Sequence, residues 1–307
     1  MKKIIFLVFL LFMSCLHVYA MPSIGIEPEK INDDPNNVPI TEWVGKQFVM
    51  LETYLAHSMG EYDEFYFFKK DKYRGKVPLQ GFSGATVTVV AVEKMPADSY
   101  TDYLVTFKED KSGKVFYGQS YKGSFAALGY AEDIQKVKEQ WLGKTIYAKE
   151  RYLHTYDANT GREDHFAIKI SKGEPLNVVD VLPGIDKVSP IILVVKRSNG
   201  QTGFYSMHTS LTNLPSDWWN DKVLSRSYEP FFETNPRELY PWGDDIWNNI
   251  ALGLVNIGWD KDKVVMSWGN PEKKNITTTP NGVSEQWVYS DAYLYFENDK
   301  VAAIQRL

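Results

Sequence analysis

Two short stretches of this chain have nearly the same sequence: WVGK at Trp43–Lys46 and WLGK at Trp141–Lys144. A second pair follows in the same order, GATVTVVAV at Gly84–Val92 and GEPLNVVDV at Gly173–Val181. The first pair is separated by 98 positions and the second pair by 89. Motifs that recur in one order at similar offsets indicate a duplicated structural unit. The sequence therefore predicts two copies of one module.

Each copy predicts short antiparallel β-strands. In the first copy, Tyr103–Phe107 and Val115–Tyr117 flank a polar turn. In the second, Ile191–Val195 and Gly203–Met207 flank Asn199-Gly200, a dipeptide typical of tight hairpins. The glycine of each WxGK motif is expected where one backbone closely approaches another.

Strands of this spacing, five or six in each copy, fit small SH3-like barrels. The first module is expected at residues 41–130 and the second at 131–213. The second module begins with Ala131–Trp141, where apolar residues at helical intervals predict a linking helix. Residues 214–243 are rich in proline and aromatic side chains, and we interpret them as a strap that packs over the neighbouring modules.

Residues 244–307 predict helices followed by strands. Asp244 and Asp245 are expected to cap a helix, and Asp260 a second helix that ends at Gly269. The apolar residues expected on these two helices are Ile246, Trp247, Ile250 and Leu254, then Val264, Val265 and Trp268. Three strands are expected after them, at residues 286–289, 293–296 and 301–305.

Four runs in this segment carry a family resemblance: IGWD at Ile257–Asp260, WGNP at Trp268–Pro271, QWVY at Gln286–Tyr289 and YFEN at Tyr295–Asn298. Together with Val264 and Val301, they resemble the SmpA/OmlA (BamE-like) domain of outer-membrane assembly lipoproteins. The resemblance implies two helices followed by three strands, an α-α-β-β-β module. The predicted fold class is thus mainly β with an α+β tail: two tandem SH3-like small β-barrels followed by a BamE-like module.

The first twenty residues have the three parts of a secretory signal. Lys2 and Lys3 precede the apolar run Ile4–Met13, and Val18–Ala20 offers a cleavage site with small residues at its key positions. The apolar run is shorter than the roughly 20 residues of a spanning helix. We therefore expect residues 1–20 to be a signal peptide and the chain to be exported to the periplasm or cell envelope.

An alternative to cleavage after Ala20 is a lipid anchor, since Phe12–Cys15 loosely resembles a lipobox and Cys15 is the only cysteine. Residues 21–40 are rich in proline, asparagine and acidic side chains, which predicts an extended lead-in. The balance of 34 basic and 39 acidic residues argues against a nucleic-acid partner. Beyond the signal, no stretch is apolar enough to predict a membrane span.

Catalytic motifs are missing from the sequence. It lacks His-Glu-x-x-His, Gly-x-Ser-x-Gly and a phosphate-binding glycine loop, and its expected mature part has no thiol. Asp157-x-Asn159-x-Gly161 only faintly resembles a calcium loop, because Ile168 stands where the bidentate glutamate is needed. We therefore predict no catalytic residues, no metal and no cofactor.

The strap is aromatic as well as proline-rich, and exposed aromatic side chains are typical anchors for protein or glycan contacts. The candidate ligand-binding residues are Trp218, Trp219, Tyr228, Phe231, Phe232 and Trp242. Packing of the strap against the modules is the favoured explanation of the same residues.

The predicted function is a non-enzymatic envelope protein that binds a protein, a peptide or a cell-wall glycan such as peptidoglycan. Two alternatives belong to other classes. One is a hydrolase of a wall polymer that uses the carboxylates of Asp217, Asp221 and Asp244. The other is a proteinaceous enzyme inhibitor.

Overall fold

The structure is a computed structural model that describes residues 37–69, 72–97, 101–157, 162–215, 230–280 and 282–307. The expected signal peptide and most of the lead-in lie outside these residues. The described chain is mainly β, with three antiparallel sheets, one of them a half-barrel, and a few short helices. The predicted fold class is confirmed at this level.

The first module forms a seven-stranded sheet in the order β3-β2-β6-β5-β4-β1-β7. A short 3-10 helix at Ile40–Glu42 precedes it, and helix α1 (Tyr54–Met59) follows β1. The strands are β1 (Gln47–Met50), β2 (Glu61–Lys69), β3 (Lys72–Pro78), β4 (Thr86–Lys94), β5 (Tyr103–Glu109), β6 (Val115–Gln119) and β7 (Leu128–Tyr130). Its core is rich in aromatic rings, as Phe65 shows by packing edge-on against Phe107 and Phe116 with ring centroids 5.5 and 5.6 Å away.

The second module begins with helix α2, which spans Ala131–Trp141 as predicted. Its strands are β8 (Thr145–Ala148), β9 (Tyr152–Asp157), β10 (Arg162–Lys169), β11 (Pro175–Pro183), β12 (Ile191–Lys196), β13 (Thr202–Met207) and β14 (Phe231–Phe232). Their order in the sheet is β10-β9-β13-β12-β11-β8-β14. The two orders match strand for strand: β8 has the position in the second sheet that β1 has in the first, and the same holds for each later pair up to β14 and β7. This identity of topology supports the duplication predicted from the motifs.

The WxGK motif forms the same turn in both modules. Gly45 donates its backbone amide to the Val89 carbonyl at 2.9 Å, and Gly143 donates to the Val178 carbonyl at 3.0 Å. The strand register shifts directly after Val89 and after Val178, so each turn sits beside a β-bulge at the same position.

The reason expected for the two motif glycines is wrong. No atom lies within 4 Å of the place where a Cβ would be added to Gly45 or Gly143, so close approach does not demand glycine there. Glycine is favoured at both positions because their φ angles are +82° and +79°, a left-handed conformation that residues with a side chain disfavour.

The prediction of five or six strands per copy is wrong for the first copy, which has seven, whereas residues 131–213 hold six strands. The seventh strand of the second sheet, β14, comes from the predicted strap. The hairpins β5–β6 and β12–β13 form as predicted. The strands that were missed include β2, β3, β9 and β10, which lie toward one edge of each sheet. β3 carries three basic side chains and is mostly exposed, so its sequence lacks the apolar alternation that predicts a strand.

The C-terminal module has helices α3 (Pro236–Leu239), α4 (Asp244–Leu252) and α5 (Lys261–Trp268). Its sheet has the strands β15 (Lys273–Thr279), β16 (Gly282–Val288), β17 (Ala292–Glu297) and β18 (Lys300–Arg306), in sequence order. The three-strand prediction is therefore corrected to four. β15 was missed because all seven of its residues are exposed and only one of them is apolar.

The helix caps are partly as predicted. The Asp260 side chain caps α5 by accepting the Lys263 amide at 3.1 Å. The cap of α4 is Gly243, with Asp244 and Asp245 in the first turn, so the predicted aspartate cap is wrong. Leu254 lies beyond the end of α4 and is exposed, which corrects its place on the apolar face.

Two cations join the second module to the C-terminal module. The Arg151 guanidinium lies 3.4 Å from the carbonyl oxygens of Ile250 in α4 and Ser267 in α5. Lys172 donates to the Met266 carbonyl at 3.0 Å. Carbonyl groups at helix C-termini carry partial negative charge, so both contacts place a cation where the helix dipole favours it.

Candidate functional site

An open pocket of about 670 Å³ lies at the junction of the first and second modules. The end of the lead-in and the first module contribute residues between 37 and 43, 94–97, 101–103 and 122–123, and the end of the second module and the start of the strap contribute Asn213 and Leu214. Ligand pockets usually measure about 300–1,000 Å³ and often lie at domain interfaces. We therefore take this intermodular cavity as the candidate functional site.

A tight turn brings Lys122 to the cavity. Tyr121 and Ser124 exchange two backbone hydrogen bonds of 3.1 Å, and φ is 50° at Lys122 and 70° at Gly123. Positive φ at both central residues is typical of a type I′ turn, where the first position favours Asn, Asp or Gly. Lys122 thus holds a conformation that costs a lysine about 1–2 kcal/mol. Such strained residues cluster at functional sites, although the strain alone does not assign one.

Asp102 connects two loops of the cavity wall. Its side-chain oxygen Oδ2 accepts the Gly123 amide at 2.9 Å, and its carbonyl accepts the Met95 amide at 2.9 Å. Lys94, Asp102 and Lys122 are all exposed, so the wall presents two ammonium groups and one carboxylate to solvent.

Asn213 anchors the second module's part of the wall. Its side chain accepts the Phe125 amide at 2.7 Å and donates to the carbonyls of Phe125 and Leu128 at 2.8 and 2.7 Å. The residue is 4% exposed and has a φ of 67°. Because three buried hydrogen bonds fix one amide group, the segment that carries Asn213 is held firmly against the first module.

A second buried group supports the same wall. The Ser210 hydroxyl donates to Asp133 of α2 at 2.5 Å and lies 2.9 Å from the Thr212 hydroxyl. Thr212 in turn accepts the Val38 amide at 3.0 Å. Since Val38 lines the cavity, this chain of hydrogen bonds runs from the linking helix to the cavity wall. The backbone of this part of the wall is therefore held in place by hydrogen bonds to buried side chains.

The sequence did not predict these residues. Lys122-Gly123 signals a turn, which says nothing about a cavity. Asn213 and Phe125 are 88 positions apart, and only the packing of the modules brings them together.

The aromatic residues predicted to bind ligand have different places. Trp218, Trp219 and Tyr228 lie outside the described residues. Phe231 is buried in the second core, with its ring centroid 5.1 Å from that of Trp141. Phe232 and Trp242 are half-buried and pack against the core of the C-terminal module. The three described rings thus contact two modules and do not form one exposed surface.

The carboxylates of the hydrolase alternative are not brought together in the described chain. Asp217 and Asp221 lie outside it, as do Asn159 and Gly161 of the calcium-like loop. Asp244 is exposed and pairs with Arg237 at 3.2 Å.

One other cluster combines ionisable and hydroxyl side chains. Glu52 accepts from Ser83 at 2.8 Å through one oxygen and lies 2.8 Å from Nδ1 of His57 through the other. The hydrogen bonds with His57 and Ser83 lower the pKa of Glu52. A catalytic triad requires the histidine to contact the hydroxyl, whereas here both groups contact the carboxylate. The arrangement therefore stabilises the carboxylate and does not activate Ser83.

Within the described ranges, no group of three or more His, Cys, Asp and Glu side chains is placed to hold a metal ion. In the same ranges no helix has the length and apolar character needed to cross a membrane. Comparison of the chain with family models, with curated proteins and with solved structures finds no match.

Proposed function

We propose that the chain is a non-enzymatic, exported envelope protein that binds a short acidic peptide segment of a partner in the intermodular cavity. The observation that carries the proposal is the pocket between the two modules, whose described lining carries Lys94, Lys122 and the carboxylate of Asp102. The secretory character of the first twenty residues supports the envelope location.

The lining favours a peptide over a glycan. Binding of sugars to proteins relies on stacking against accessible aromatic faces, and among the described lining residues Tyr103 is half-buried and Trp43 is fully buried. Apolar groups of Val38, Met95 and Pro96 can contact side chains of a peptide while the two ammonium groups pair with its carboxylates.

The finer fold assignments belong to this proposal. The short antiparallel strands and tight turns support an SH3-like character for the two modules, and the order of helices before a sheet supports the BamE-like resemblance of the C-terminal module. A role in envelope assembly would follow from that resemblance, with the C-terminal module docked on the second module through Arg151 and Lys172.

The test is selection of peptides from a random displayed library on the immobilised chain, followed by affinity measurement with the selected peptides. We expect acidic sequences whose affinity falls at least tenfold in Lys94→Glu and Lys122→Glu. The matched control is Lys138→Glu, which makes the same charge change on the exposed side of α2 and should leave the affinity unchanged.

Two outcomes would contradict the proposal: no enrichment of acidic peptides, or equal loss of affinity in the control. Sedimentation with purified peptidoglycan separates the glycan alternative. Retention of the chain by that polymer, undiminished in Lys122→Glu, would favour a wall-binding role at another surface.

A further inference from the structure

Among the described residues, strand β15 lies at one edge of the C-terminal sheet. In the described chain its one partner strand is β16, with which it pairs over all seven residues from Lys273 to Thr279. All seven residues are exposed, and the strand contains neither a bulge nor a proline. Sheet edges of this length are normally shortened, bulged or covered, because their unpaired backbone groups can bind another strand.

The outer half of the β15–β16 hairpin extends beyond the helices. Ile276 and Val283 lie on the same face as Trp287, and they are 62% and 45% exposed while Trp287 is 2% exposed. The helices thus cover the Trp287 end of this face and leave two aliphatic side chains exposed beside the free edge.

The sequence of β15, KKNITTT, is compatible with antiparallel pairing to itself. With Ile276 opposite Ile276 of a second copy, Asn275 faces Thr277, Lys274 faces Thr278 and Lys273 faces Thr279. No lysine faces a lysine, and at the centre Ile276 of one copy faces Ile276 of the other. Opposed like charges destabilise a strand pair, whereas β-branched pairs stabilise it.

We propose that two copies of the chain associate through β15 in this register, with a two-fold axis at Ile276. The two sheets then form one continuous sheet, and the contact is isologous because the same edge serves both copies. A single strand pair covers much less than the roughly 800 Å² per partner of a standard interface, so the association is weak and concentration-dependent. It does not depend on the function proposed for the cavity.

Cysteine cross-linking tests the register directly, in a chain with Cys15 replaced by serine. Ile276→Cys should give a disulfide-linked dimer on mild oxidation at a few hundred micromolar. Lys273→Cys alone and Thr279→Cys alone should stay monomeric, because six residues of strand separate these positions by about 20 Å. A mixture of the last two proteins should give the cross-linked heterodimer.

Charge repulsion provides an independent measurement by sedimentation equilibrium. The double variant Thr278→Lys and Thr279→Lys places lysines opposite Lys274 and Lys273 of the second copy and should abolish the dimer. Gln135→Lys with Gln140→Lys adds the same charge on exposed positions of α2 and should leave it intact. Thermal unfolding of each variant checks that the fold is retained.

Three results would overturn the proposal. The first is a parent chain that remains monomeric at these concentrations. The second is cross-linking of Ile276→Cys no faster than that of Lys273→Cys alone. The third is efficient self-cross-linking of Lys273→Cys, which would indicate parallel pairing.

Discussion

Replacement of Lys172 by methionine should change how the stability of the chain depends on pH. The Lys172 ammonium lies at the C-terminal end of α5, where it donates to the Met266 carbonyl. The pKa of Lys172 is lowered to about 8, mainly because burial disfavours the ammonium; Glu150 opposes this shift, whereas Arg151 and Lys149 contribute to it. In the unfolded chain the same group has a pKa of about 10.4.

The direction in which the free energy of unfolding changes with pH follows from the number of protons bound in the folded and unfolded chains. Between about pH 8 and pH 10.4 the unfolded chain holds a proton on Lys172 that the folded chain has released, so the free energy of unfolding rises with pH in this window. The difference between a pKa of about 8 in the folded chain and about 10.4 in the unfolded chain corresponds to about 3 kcal/mol. The negative end of the α5 dipole favours the cation by about 0.3–1 kcal/mol, which leaves an expected rise of roughly 2–3 kcal/mol.

At pH 7 Lys172 is protonated in the folded parent chain, so the full free-energy cost of burying its ammonium group lowers the stability. Lys172→Met removes that cost and loses one hydrogen bond to a carbonyl, worth about 1 kcal/mol. The variant should therefore be more stable than the parent chain by about 1–2 kcal/mol at pH 7 and less stable at pH 10.5. The distinctive result is that the free energies of unfolding of the parent chain and Lys172→Met, plotted against pH, cross between pH 7 and pH 10.5.

The assay is urea unfolding at several pH values between 7 and 10.5, followed by tryptophan fluorescence, for the parent chain, Lys172→Met and the control Lys196→Met. Lys196 is exposed at the end of β12, so its replacement should shift the curve little and leave its pH dependence unchanged. Other groups that titrate in this range act equally in all three proteins. Parallel curves for the parent chain and Lys172→Met would refute the reasoning.

Four further replacements have expected effects on stability. Asn213→Ala should lower the free energy of unfolding by about 2–4 kcal/mol by urea titration, since it leaves buried backbone groups of Phe125 and Leu128 without their partners; an effect below 0.5 kcal/mol would show that the modules are held by other contacts. Gly45→Ala and Gly143→Ala should each cost about 1–2 kcal/mol by the same measurement, because both need a left-handed backbone, and unequal costs would argue against equivalent turns. Trp287→Ala should cost roughly 3–5 kcal/mol and melt the C-terminal module first by hydrogen exchange, a result that uniform loss of protection would contradict.

Sequence patterns predicted the local features well. Helix α2, the two central hairpins and the Asp260 cap all depend on residues close together in the chain, and the structure has them where they were expected. β15 was missed for a physical reason: exposed on both faces, it has no apolar periodicity to detect.

The intermodular cavity could not be predicted, because contacts between distant segments create it. Asn213 has no motif around it, and its function in the fold depends on backbone groups more than eighty positions away. Lys94 ends β4 and Lys122 lies in a separate turn, and only the sheet topology brings the two residues together.

The duplicated sheets also bear on how the chain avoids misfolding. Tandem copies of one topology risk exchanging strands while they fold. Phe107 faces Phe116 in the first sheet, with ring centroids 5.4 Å apart, whereas Val195 faces Gly203 at the matching place in the second. A strand transferred from the first sheet to the second would place a phenylalanine ring where a valine or a glycine belongs, and the reverse transfer would leave a void where a ring belongs. The different side chains in the interiors of the two sheets therefore disfavour exchange of strands between them while the chain folds.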